Sequence, residues 1–207
     1  MFLLDSDVVK KICQYHLLHE LAAALGCGLN AFAVLPQLKF QLRLADVAKA
    51  VQKLGSQEAV DQARELVAAA AEVQVVAEAA NPILGLNRPD IDSGEATLFA
   101  ALHDVDADSL ISGDKRAFIA LSEINGVAVV DVLWARLICL EEAMHLIVQS
   151  ANFDHVSAKV RANLAVDTAI GIAFGRATAN SPAMVIEALA SYMSDLHART
   201  SGKYVLP

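Results

Sequence analysis

The chain opens on an apolar triplet, Phe2-Leu3-Leu4, cut off by Asp5-Ser6-Asp7. A short buried strand running into a helix-capping residue accounts for that switch. Helical spacing then links Val8, Ile12, Tyr15, His16, His19, Ala22 and Ala23, which predicts one helix over 8–25 that ends at Gly26 and Gly28. Leu29 to Leu35 reads as a second strand or an extended connection, and Pro36 suits the first turn of a helix reaching about Leu54. Its core side is expected at Leu35, Leu38, Leu42, Ala45 and Val47, with Lys39, Arg43, Lys49 and Lys53 in water. No aromatic residue is read as interleaved with these bases for base stacking, so a solvated face is the expected account, beside a path for an RNA backbone. Ser56 starts an acid-rich helix that is expected to run to about Ala80 and to stop at Asn81-Pro82, with a loop over 83–90.

The stretch IDSGEATLFAALHDVDADSLISGDKRAF, Ile91 to Phe118, organises the middle of the chain. An acidic helix start (Asp92, Gly94, Glu95) leads into an apolar helix, Ala96 to His103, and then into a short strand, Ser109 to Ser112, closed by Gly113-Asp114-Lys115. A helix over 115–124 follows, and the β-branched run Val127 to Leu133 predicts a further buried parallel strand. From Trp134 onward helical spacing alone is expected, over 134–149, 154–166, 168–178 and 182–198, with breaks at Asn152, Asn180 and Pro182. Strands alternating with helices predict an α/β domain over 1–133, and 134–207 reads as an all-helical extension packed on that core or on a partner subunit.

Composition narrows the setting. At 207 residues one core is expected. Hydrophobic residues make up 56%, but charged residues interrupt every apolar run before the roughly 18 residues a membrane helix needs. Asp5 and Asp7 would fall inside the apolar region of a signal peptide, so no export is expected. Cys13, Cys27 and Cys139 are widely spaced and form no CxxC, which suits reduced thiols in a cytoplasmic protein. The net charge of -8 argues against a general nucleic-acid coat protein, yet it suits an acidic site built for a divalent cation. His16 and His19 stand three apart on the expected helix with no third ligand in reach by sequence, and no Ser-His-Asp set or GxxxxGK loop stands out.

Asp5 and Asp114 follow predicted strand ends and Glu95 lies in a first helical turn, and such ends collect on one side of a wound sheet. Each acid alone is explained as a cap or a partner of a helix dipole. Gathered together they would repel one another unless a hard cation, Mg²⁺ or Mn²⁺, sat between them. Asp92, one turn before Glu95, is a further candidate ligand, and Asp7 and Asp131 are weighed beside it.

LLDSD at the start, DSGEATLFAAL in the middle and LISGDKRAF after it resemble the PIN-domain family. In that family an apolar strand ends in Asp followed by Thr or Ser, which Asp5-Ser6 matches. An acid precedes an Ala-rich helix, as Gly94-Glu95-Ala96 does, and a later strand ends in Ser or Thr, any residue and Asp, as Ser112-Gly113-Asp114 does. The resemblance covers about 1–133. It implies a parallel sheet flanked by helices and a Mg²⁺- or Mn²⁺-dependent ribonuclease, often the toxin of a bacterial toxin-antitoxin pair. Asp5, Glu95 and Asp114 would be its catalytic and metal-binding acids, and Asp92 a further metal ligand. Ser6, Ser112, Lys39 and Arg43 would bind substrate. RNA, an antitoxin-like protein and further copies of the chain are the implied partners. The family carries one more acid on the helix after the second strand, where LPQLKFQLR offers Gln37 and Gln41.

Two other readings use the same residues. Asp5-Ser6-Asp7 also resembles the opening of haloacid-dehalogenase-type phosphatases, with Asp5 as nucleophile and Asp114 as metal-binding acid, but Glu95 then has no role. A PIN-like module that binds or assembles without cutting suits the absent helix acid and the helical extension.

Overall fold

The computed structural model describes residues 1–74, 83–86, 88–104 and 109–207, the side chain of Asp104 excepted. Its centre is a sheet of five parallel strands: β1 (Phe2–Leu4), β2 (Phe32–Val34), β3 (Ala71–Glu72), β4 (Ser109–Ser112) and β5 (Leu137–Cys139), in the order β3-β2-β1-β4-β5. The helices are α1 (Ser6–Gln14), α2 (Leu18–Ala24), α3 (Leu38–Gln41), α4 (Val47–Leu54), α5 (Gln57–Ala69), α6 (Ser93–Asp104), α7 (Lys115–Ser122), α8 (Ala128–Asp131), α9 (Leu140–Ser150), α10 (Phe153–Ala162), α11 (Thr168–Ala173) and α12 (Pro182–Arg199). The α/β class with a parallel sheet flanked by helices is as the alternating pattern predicts.

Both faces of the sheet are covered, so successive strand residues enter opposite cores. Leu4, Phe32, Val34 and Ile111 join α1, α2, α4, α5 and α9 to α12 in one apolar cluster. Leu3, Ala33, Leu110, Leu137 and Cys139 join α6, α7, Met193, Leu196 and Tyr204 in the other. The helices after β5 share these two cores with the rest of the chain. Gly171 and Gly175 have local reasons within the chain: a Cβ on Gly171 would come within 2.9 Å of the Leu164 carbonyl oxygen, and Gly175 has φ +87°.

Several boundaries differ from the sequence reading. The helix expected over 8–25 breaks into α1 and α2, and that over 36–54 into α3 and α4. At each break the chain makes a two-bond C-terminal turn. Leu17 N–H donates to Ile12 O and His16 N–H to Cys13 O; Leu44 N–H donates to Lys39 O and Arg43 N–H to Phe40 O. That motif needs a left-handed residue, and here His16 and Arg43, both at φ 58°, fill the place that glycine usually takes. A non-glycine residue there costs about 1 kcal/mol or more, and burial of the following leucines, Leu17 and Leu44, offsets it. The break turns Val47 out to 46% exposure and leaves Ala45 exposed, against the expectation that both face the core.

The run Val127 to Leu133 is not a strand but the short helix α8, and Asp131 is therefore not at a strand end. The fifth strand lies within 134–149, the stretch expected to be one helix, as a 3-10 turn (Trp134–Arg136), β5 and then α9. The helix expected to reach Ala80 ends at Ala69 and is followed by β3, while 75–80 and the stop at Asn81-Pro82 lie outside the described residues. Among the described residues no helix is long and apolar enough to cross a membrane.

The C-terminal segment clasps the β5 side of the sheet. The buried Tyr204 ring stacks on Phe118 at 6.1 Å, its hydroxyl accepts from Cys139 N–H at 3.1 Å and donates to Glu142. Lys203 Nζ donates to the carbonyls of Ser122 (2.8 Å) and Ile124 (3.0 Å) at the end of α7. Leu4→Ala, which empties a fully enclosed position in the central strand, is expected to cost about 2–5 kcal/mol. Tyr204→Phe, which orphans the Cys139 N–H and the Glu142 carboxyl, is expected to cost about 1–3 kcal/mol. Urea unfolding followed by circular dichroism measures both, and a near-zero effect at either position would contradict the packing described.

Candidate functional site

In an open parallel sheet a ligand crevice forms beyond the carboxyl ends of the strands, where neighbouring strands connect in opposite directions. Here that point lies between β1, whose chain proceeds to β2, and β4, whose chain proceeds to β5. Asp5 leaves the end of β1 with its N–H donating to Ile111 O at 3.0 Å. Ser112 ends β4 and is buried, and its hydroxyl donates to Asp5 Oδ2 at 3.2 Å while accepting Asp114 N–H at 3.2 Å. One serine thus ties together the acids that follow the two central strands.

A cavity of about 590 Å³ opens there, lined by Asp5, Ser6, Asp7, Lys11, Gln41, Asp92, Glu95, Asp114, Lys115 and Arg116 among others. Asp5, Glu95, Asp114 and Asp92, with Ser6, are therefore brought together. Ser112 acts behind the cavity, through Asp5 and Asp114. Lys39 and Arg43 are not in its lining: Lys39 pairs with Glu72 at 2.9 Å, and Arg43 lines a separate cleft. Asp131 is likewise elsewhere, whereas Asp7 lines the cavity.

Three of the acids double as helix caps. Asp92 and Glu95 form a reciprocal capping box at the start of α6: Glu95 N–H donates to Asp92 Oδ1 and Asp92 N–H to Glu95 Oε2, both at 2.8 Å. Asp114 caps α7 by accepting the N–H groups of Arg116 (2.8 Å) and Ala117 (3.4 Å), and pairs with the Arg116 guanidinium at 3.1 Å. Among the described residues no three His, Cys, Asp or Glu side chains form a ready-made ligating group. The acids surround one space without closing on one point.

Their charges nevertheless act on each other. Burial, followed by repulsion from Asp92, Asp114 and Asp5, pushes the Glu95 carboxyl up from 4.5 to about 7, against the stabilising Asp92 N–H. Asp5 is also raised, by burial first and by Asp7 next. Burial pulls Asp114 upward too, but Arg116 outweighs it and holds the carboxyl below its ordinary range. The cavity holds more negative charge than its own cations neutralise.

The cations were not singled out by sequence. Lys11 bridges Asp7 (2.7 Å) and Asp167 (2.9 Å), linking the cavity wall to the start of α11. Lys115 pairs with the buried Glu141 at 2.5 Å and lies 5.2 Å over the Tyr192 ring. The only sequence signal for Lys115 and Arg116 was their position beside Asp114, and nothing local marked Lys11. Of the two amides in LPQLKFQLR, Gln41 at the end of α3 lines the cavity and Gln37 does not. His16 and His19 take separate partners, His16 with Ser56 (2.8 Å) and Glu58 (3.4 Å), His19 with Glu65 (3.1 Å).

Comparison of the chain with protein-family models, with curated proteins and with solved structures returned no match.

The Glu95 shift has a testable sign. Because the folded-state value is raised, the proton on Glu95 contributes stability that is fully present below about pH 4.5 and is lost as pH rises through about 7. Glu95→Gln, which can still complete the capping box, is expected to flatten this loss. Urea midpoints measured across that interval should fall for the native chain and change less for the variant; equal slopes would contradict the assignment.

Proposed function

We propose that the chain is a Mg²⁺- or Mn²⁺-dependent ribonuclease of PIN-domain type. The observation that carries the reading is the gathering of Asp5, Asp92, Glu95 and Asp114 around one cavity at the reversal of the sheet, with Glu95 pushed up to about 7 by burial first and by its acidic neighbours next. Excess negative charge presented by carboxylate oxygens fits a hard divalent cation, and Asp5, Glu95 and Asp114 would hold it, with Asp92 and the Gln41 amide beside them. Such an ion supplies a Lewis acid and a water of lowered pKa for attack on a phosphodiester.

The chain's own residues divide the remaining work. Ser112 fixes Asp5 and Asp114 relative to each other. Lys11, Lys115 and Arg116 surround the acids with positive charge suited to a phosphate, and the buried Glu141 holds Lys115 in place. Glu95 would hold a cation as the carboxylate, so cation uptake would strengthen as pH rises. A second reading rests on Asp7, which shares the cavity two residues after Asp5, the spacing an aspartyl-nucleophile phosphatase uses. It leaves Glu95 and Gln41 without work, and release of nitrophenol from p-nitrophenyl phosphate, lost in Asp5→Asn, would favour it.

The purified chain with Mn²⁺ is expected to cleave a mixed-sequence RNA, and Asp5→Asn and Asp114→Asn are each expected to reduce the rate at least about a hundredfold. Cation uptake with no cleavage by the native chain would leave a binding module and overturn the nuclease reading. Mn²⁺ should raise the melting temperature more at about pH 8 than at about pH 6. Gln41→Glu, which restores a carboxylate to the lining, is expected to tighten Mn²⁺ binding in calorimetry; unchanged or weaker affinity would remove Gln41 from the ligand set.

A further inference from the structure

A second feature lies just beyond the acidic cavity, where α3 ends. Arg43, Lys49, Gln52 and Lys53 line a shallow cleft of about 630 Å³ with no carboxylate in its lining. This is unusual in a chain whose net charge is -8. Lys49 pairs with Asp46 at 3.0 Å, while the Arg43 guanidinium and the Lys53 ammonium have no ion-pair partner among the described residues.

The turn of chain that leads into this cleft also reaches the cavity. Gln41 lines the acidic cavity and Arg43, two residues on, lines the basic cleft, so their backbones are within about 7 Å. Between Lys39 and Gln41 stands Phe40, 69% exposed, with the Lys39 ammonium 5.6 Å from its ring centre. An isolated exposed aromatic needs no explanation. Phe40 lines neither the cavity nor the cleft, but it stands one residue before Gln41 and three before Arg43, and an exposed ring beside a cation-lined cleft supplies the two parts that a single-strand binding surface combines, a ring to stack on and a positive path for phosphates. The sequence reading counted no aromatic residue among these bases, and Phe40, between Lys39 and Arg43, corrects it. Phe40 and Arg43 meet in the turn that ends α3, where Arg43 N–H donates to Phe40 O at 3.1 Å, and the fold does not require an arginine there, since glycine fits the left-handed turn better.

We propose that Phe40, Arg43, Lys49 and Lys53 form a track for single-stranded RNA that leads into the acidic cavity. The identification of the strand as a substrate rests on the ribonuclease reading; its binding does not. A base stacks on Phe40, and phosphates follow Arg43 and Lys53 along the cleft. A duplex, whose bases are already stacked, cannot use Phe40, so the track discriminates against it.

The test is fluorescence anisotropy with a fluorescein-labelled mixed-sequence oligoribonucleotide, single-stranded or annealed to its complement, in EDTA so that no cleavage occurs. The native chain is expected to bind the single strand more tightly. Phe40→Ala should weaken binding by roughly tenfold, within the range that loss of one stacked base produces. Arg43→Gly with Lys53→Gln should lower the slope of log affinity against log salt by about 1.4, two phosphate contacts at about 0.7 each. Arg43→Gly keeps the turn, and an unchanged melting temperature shows that the variant is folded. Single-strand binding that is absent, or indifferent to both track variants, or no tighter than duplex binding, overturns the track. Track-dependent binding without cleavage on adding Mn²⁺ overturns the ribonuclease reading alone, and cleavage at the native rate by both track variants overturns the track alone.

Discussion

The pairing of β1 with β4 is the constraint on which the remainder depends. Leu3 lies opposite Leu110 and Leu4 opposite Ile111, and each pair sends one residue of either strand into the same core. A one-residue slip would exchange the faces of every side chain in the strand, so the two cores fix the register from both sides. That register sets the positions of Asp5 and Ser112, the residues that immediately follow Leu4 and Ile111, and through Ser112 the position of Asp114. Burial of aliphatic side chains more than 100 residues apart in sequence thereby sets the spacing of the acids.

In the proposed ribonuclease the same acids would serve two demands that pull against each other. As caps they direct their oxygens back to backbone N–H groups of α6 and α7. As ligands they must present oxygens to a common point. The capped arrangement spreads the charge among helix ends, and Glu95 is raised by its burial first and by the remaining repulsion from Asp92, Asp114 and Asp5 second. A cation would have to compete with Arg116 for Asp114 and with the Asp92 N–H for Glu95.

Much of this was legible in sequence, and the reasons for what was not are specific. β1, α6, β4 and the start of α7 are each marked by a sharp change from apolar to capping residues, and these elements carry Asp5, Glu95 and Asp114. The breaks at His16 and Arg43 were hidden because the usual signal, glycine, is absent; the information sits one residue later, in leucines whose burial only the tertiary structure reveals. β3 has two residues and β5 three, too short for periodicity to show, and Val127 to Leu133 offered a more β-like composition than the true edge strand. Lys11 could not be assigned because its partner Asp167 lies far away in sequence. Phe40 was in plain sight between Lys39 and Arg43, and the reading that no aromatic is interleaved with the bases overlooked it.

The C-terminal clasp has a chemical consequence for a residue it covers. Burial above all pushes the Cys139 thiol up to about 12, and Tyr204 lies against the same backbone unit. In the closed molecule that sulfur is almost entirely protonated and shielded, hence inert toward oxidants and alkylating reagents. Any reactivity it shows must come from molecules in which the last turn has lifted away. The thiol thus keeps a chemical record of how often the edge of the sheet is uncovered.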